Sequence, residues 1–113
     1  MRTTKFMKPE EIDLEISRKM DNDWNKSTKE NIKCLYQVWG LLLRKKRLAL
    51  NLTQTDVGKM VLVTFQQIQK FENGTNGVSF DKLIIFCEKT GTGYGYFLNT
   101  LNGRTLHCGG LDE

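Results

Sequence analysis

At 113 residues, 39% of them hydrophobic and 27% charged, the chain suits one domain with a single modest core. Its longest apolar run, Val38 to Leu43, is interrupted by Gly40 and is far too short to span a bilayer. The N-terminus lacks a secretory apolar segment, so a cytoplasmic protein is expected. The net charge of +4 comes wholly from residues 31–113, which hold ten Lys/Arg against six Asp/Glu, because residues 1–30 carry seven of each sign. That imbalance favours a polyanionic partner. Cys34, Cys87 and Cys108 form no CxxC pair, and the one histidine, His107, adjoins Cys108, so neither a metal nor another cofactor is expected.

Residues 1–8 show no periodicity and read as disordered. Pro9-Glu10-Glu11 then opens a helix over about 9–21, with Ile12, Ile16 and Met20 on one face and Asp21-Asn22-Asp23 ending it. Residues 1–30 are thus read as an N-terminal arm holding one short amphipathic helix, available to a protein partner. Ser27-Thr28-Lys29-Glu30 is a capping box for a second helix running to about Leu50, with Asn51 suited to the left-handed stop. Its main stripe is Trp39, Leu43, Lys46/Arg47 and Leu50. Leu35, Val38, Leu41, Leu42 and Leu48 make a second apolar side, which is expected to be covered by the N-terminal helix or by a second subunit.

Thr53 with Asp56 opens a very short third helix whose inward residues are Val57 and Val61. Thr64 with Gln67 opens a fourth, with Ile68 and Phe71 inward. The turn cluster Gly74-Thr75-Asn76-Gly77 follows, and Ser79 caps a fifth helix with Phe80, Leu83, Phe86 and Cys87 inward. Gly91-Thr92-Gly93 breaks that helix, Tyr94 to Leu101 forms a last apolar one, and 102–113 is a flexible tail. The prediction is an all-α bundle of about five short helices over 31–101 beside the N-terminal extension. No segment sustains the alternation of a strand.

Two short capped helices joined at Leu62-Val63 suggest a helix-turn-helix, whose second helix enters the major groove of DNA. Glutamine can pair with base edges, lysine can meet guanine or phosphate, and no acidic residue occurs from Lys59 through Phe71. Leu52-Thr53-Gln54, Val57-Gly58, Val63-Thr64, Ile68 and Phe71-Glu72-Asn73-Gly74 resemble the Cro/CI-type (XRE) helix-turn-helix regulators, especially alphaproteobacterial ones, over roughly residues 36–101.

The resemblance implies a lambda-repressor-like fold and a homodimeric, sequence-specific regulator on a pseudo-palindromic site in double-stranded DNA, associated with the nucleoid. Its alternative is an antitoxin that also represses its own operon. Carried over by position, Thr64, Phe65, Gln66, Gln69 and Lys70 face bases, and Gln54, Gln67, Asn73, Arg44 and Lys45 lie at the DNA backbone. Arg47 and Glu72 form a buried ion pair, Tyr94, Tyr96 and Phe97 are expected in the core or at the dimer interface, and Leu101 at the dimer interface. Leu62 stands where the family has a turn glycine, and Gly58 where it has alanine. The chain offers no nucleophile–base set or paired carboxylates, so catalysis is not expected.

Overall fold

Capping chemistry sets where three of the helices begin. In the computed structural model, which describes residues 8–20 and 27–99, α1 spans Pro9–Met20, α2 Thr28–Ala49, α3 Gln54–Val61, α4 Phe65–Asn73 and α5 Phe80–Thr90. A further helix, α6, covers 95–99, and no strand occurs among the described residues. The expectations for residues 1–7, the 21–23 stop, the Met20 side chain, Leu101, His107, Cys108 and the tail lie outside the described residues.

Ser27 Oγ accepts from the Glu30 backbone N–H at 3.2 Å while Glu30 Oε1 accepts from Ser27 N–H at 3.1 Å, a complete capping box. Thr53 and Asp56 do the same at 2.9 and 2.8 Å. The backbone N–H of Thr53 holds the Asp56 carboxyl below its usual range. Thr64 Oγ1 accepts from Gln67 N–H at 3.2 Å. Ser79 is the N-cap of α5 but makes no capping bond through its side chain; its hydroxyl donates to Asp81.

Leu43 and Arg47 of the expected α2 stripe are buried, but Leu50 is exposed, because it is the C-cap, beyond the last helical turn. The second apolar side, Val38, Leu41 and Leu42, is buried. α1 packs along α2 and buries Ile12 and Ile16 in the same core. Asp13 pairs with Lys45 at 2.7 Å, Lys19 Nζ donates to Gln37 at 3.0 Å and Cys34 Sγ to the Lys19 carbonyl at 3.5 Å. Rising numbers in α1 therefore meet falling numbers in α2, so the two run antiparallel. The boundary drawn at residue 30 cuts across one shared core.

Phe80, expected inward, is exposed, and Val78 is buried in the core instead. Side chains on a helix lean toward its N-terminus, so one at the first position projects past the helix end. Leu83, Phe86 and Cys87 are buried, and burial pushes the Cys87 thiol pKa up. α6 is fastened to α2 by Trp39 Nε1 donating to the Phe97 carbonyl at 3.2 Å and Tyr96 OH to the Leu42 carbonyl at 2.7 Å. Lys46 sits 4.5 Å above the Tyr96 ring, so its charge ends on an aromatic face. Among the described residues, no helix is long and apolar enough to cross a membrane.

Candidate nucleic-acid interface

α3 and α4 are joined by a tight turn whose shape two residues determine. Leu62 caps α3 in the left-handed conformation (φ 63°, ψ 45°) and donates its N–H to the Gly58 carbonyl. A Cβ on Gly58 would lie 2.6 Å from the Val63 carbonyl oxygen, so the turn folds back onto α3 at a point where a side chain has no room. Lys82 Nζ reaches from α5 to the Val61 carbonyl at 3.2 Å, satisfying an acceptor at the end of α3. Val57, Val61, Ile68 and Phe71 fill the space beneath.

α4 turns Ile68, Phe71 and Glu72 inward. Thr64, Phe65, Gln66, Lys70 and Asn73 are exposed, and Gln67 and Gln69 are half-buried. Gln66, Lys70 and Asn73 are spaced i, i+4, i+7 and share one outward stripe; Phe65 and Gln69 lie on the neighbouring one. The first turn of α4 carries no acid, so its amide-rich, positive end is not neutralised there.

Behind this surface lies a charged hub. Glu72 is almost wholly buried and is held by Arg47 Nε at 2.7 Å and Nη2 at 3.0 Å. Arg47 Nη1 also donates to the Leu52 carbonyl at 3.0 Å, tying α2 to the start of the α3 cap. Gln54 Nε2 donates to Glu72 Oε1 at 3.1 Å, linking the first residue of α3 to the end of α4. Arg44 also points at Glu72, its Nη1 3.4 Å from Oε1.

Arg44, read from the resemblance as a DNA-backbone residue, is 5% exposed. Its guanidinium lies inside the hub and is not free to reach a phosphate. Burial lowers its pKa, partly offset by Glu72. Arg44 lies three residues before Arg47, on the same helical face, and that spacing is the signal that could have placed it here. Lys45, also assigned to the backbone, is half-buried and paired with Asp13. Arg44, Arg47, Leu48, Leu52, Thr53 and Gln54 line a shallow open groove beside the α3 N-terminus.

Gly40, on α2, was not singled out from the sequence. A Cβ there would lie 2.0 Å from the Phe71 carbonyl oxygen, so α2 and α4 touch through backbone. Of the expected interface residues, Phe97 is buried and edge-on to Phe86 at 6.3 Å, and the Tyr96 hydroxyl is spent on Leu42. Phe97 belongs to the core of its own chain, and the half-buried Tyr96 packs against that core. Burial, reinforced by the Asp13 charge, pushes the Tyr96 phenol pKa far up. Tyr94 and Leu98, one turn apart, remain exposed. Among the described residues, no group of three or more His, Cys, Asp or Glu is placed to hold a metal ion.

Two short helices set against each other by a tight turn, the second presenting a polar outer face, define a helix-turn-helix protein. Residues 43–97 match the family model described as Helix-turn-helix. It is 36% identical over 71 residues to a protein of Rhodospirillum rubrum called "Uncharacterized transcriptional regulator in ATPase CF(0) region", covering 62% of this chain and 66% of that one. It is 38% identical over 64 residues to an HTH-type transcriptional regulator of Sinorhizobium fredii, covering 56% and 45% respectively. An HTH-type regulator of Rhizobium meliloti is 43% identical over 44 residues, 39% of this chain and 32% of its own. This chain thus spans 32% to 66% of the length of these three relatives. No solved structure gives a significant match.

Proposed function

We infer that this protein is a transcription regulator that binds DNA in a sequence-specific way, with α4 in the major groove and the start of α3 at the phosphate backbone. The observation that carries this is the outward face of α4. Thr64, Gln66 and Lys70 are exposed on a rigid helix whose inward residues are fixed in the core, and no acid lies among them. Their hydroxyl, amide and ammonium groups match the donor and acceptor pattern of base edges. The names of the relatives, all transcriptional regulators, point the same way. The backbone contacts fall to Gln54, Gln67 and Asn73, with Arg44 withdrawn from that set by its burial and Lys45 by its pairing with Asp13.

Two-fold pairing of the chain on a pseudo-palindromic site is part of this reading. Tyr94 and Leu98 are the apolar side chains near the end of the described chain that remain available for it. The antitoxin alternative relied on an N-terminal arm free to meet a toxin. The apolar face of α1 is instead occupied by α2, which favours the simpler regulator.

Selection of bound sequences from a random duplex pool tests the reading. The expected outcome is an enriched motif of two inverted half-sites with centres about 34 Å, one helical turn, apart. A pool that stays random after repeated rounds would overturn it.

A further inference from the structure

Phe65 is the first residue of α4 and is 47% exposed. Exposed apolar residues need no explanation when scattered, but this one opens a helix whose other exposed residues are polar. Leu62, three residues earlier, is 88% exposed and gives it little cover. The backbone at Phe65 is fixed on both sides: Thr64 caps the helix through Gln67 N–H, and Ile68 is fully buried one turn on. The ring is therefore held at the leading end of α4 with about half of its surface open.

A phenyl ring has neither a hydrogen-bond donor nor an acceptor, so it cannot pair with adenine, guanine or the amino group of cytosine. In the major groove one base offers an apolar group, the C5 methyl of thymine. We propose that Phe65 is a specificity-determining residue that reads the C5 methyl of one thymine in each half-site, beside the base edges met by Gln66 and Lys70. This inference rests on the reading of α4 as the groove helix and names the base that its first position selects.

The test uses the full chain and the duplex recovered by selection, with each thymine replaced in turn by deoxyuridine, which removes the methyl and leaves the pairing edge intact. One thymine per half-site is expected to weaken wild-type binding by about fourfold on replacement, the worth of one buried methyl group at about 0.8 kcal/mol. Phe65→Ala, with a melting temperature close to wild type because the ring is half-exposed, should bind thymine and deoxyuridine duplexes alike at that position. Reselection with Phe65→Gln should move the preference there from thymine toward adenine, which glutamine pairs with bidentately.

The inference is overturned if no deoxyuridine duplex binds wild type more weakly, if Phe65→Ala keeps the same methyl penalty, or if the selected half-site has no thymine. In all three cases the sequence-specific regulator stands. If no duplex is preferred over a scrambled one, both this inference and the regulator reading fall.

Discussion

Leu62 occupies the left-handed region (φ 63°, ψ 45°) with 88% of its surface exposed. That conformation costs an L-residue about 1–2 kcal/mol, and no burial offsets it here. Leu62→Gly should therefore stabilise the fold by about 0.5–1 kcal/mol once the extra freedom of glycine in the unfolded chain is subtracted. Thermal unfolding checks it, with Leu62→Ala as a control that should gain nothing. Glu72 is the opposite case, a residue whose whole value is in its contacts. Glu72→Gln leaves two buried guanidiniums without a counter-charge and should cost about 3–5 kcal/mol in chemical denaturation. The hub has two arginines and one carboxylate, so its members are unequal. Arg44→Met removes the surplus cation and should cost clearly less than Arg47→Met, which removes the 2.7 Å partner. Equal losses would mean that the two guanidiniums share the carboxylate evenly.

Helix placement follows from caps and from two glycines. Gly40→Ala puts a methyl 2.0 Å from the Phe71 carbonyl and must push α4 away from α2. A loss of about 1–3 kcal/mol or more is expected, with DNA affinity falling further than stability alone explains if α4 is the groove helix proposed above. The α3 capping box should be visible as a pH effect. The Asp56 carboxyl titrates below its ordinary 3.8 in the folded chain, so its contribution is present above that value and is lost as pH falls through the lowered one. Asp56→Asn should therefore show a shallower acid limb below about pH 4 than wild type; identical limbs would contradict the capping role. At α1, Ile12 is fully buried against α2, so Ile12→Ala should cost about 2–5 kcal/mol. A merely appended arm would tolerate the change. The caps of α2, α3 and α4 were legible because a side chain bonding a neighbouring N–H is a local event. The burial of Phe97 was not, because it depends on which distant element lies opposite; Phe80 turns outward because it is the first residue of its helix, and the three-residue spacing from Arg47 marks the inward turn of Arg44.

Across the whole molecule, the all-α bundle and its helix-turn-helix were legible in the residues, since Val57, Val61, Ile68 and Phe71 must share one core if α3 and α4 cross. The position of α1 was narrowed to two possibilities by the apolar second side of α2. The choice between them needed the antiparallel fit of Asp13 with Lys45 and Lys19 with Gln37, which no periodicity records. The face of α4 was legible as to residue type. Its separation from the hub was not, because burial of Arg44 is a property of the folded assembly. In the proposed function the bundle holds α4 outward as a rigid reader, with the Glu72 hub locking its far end to α2 and α3. Fluorescence anisotropy of wild type and Gln66→Ala on the selected duplex and on a scrambled one, at two salt concentrations, tests that directly. Wild type should favour the selected duplex by about a thousandfold or more, and Gln66→Ala should lose about 1–3 kcal/mol on that duplex while matching wild type on the scrambled one. Equal binding of wild type to both duplexes, or an equal loss by Gln66→Ala on both, would contradict it.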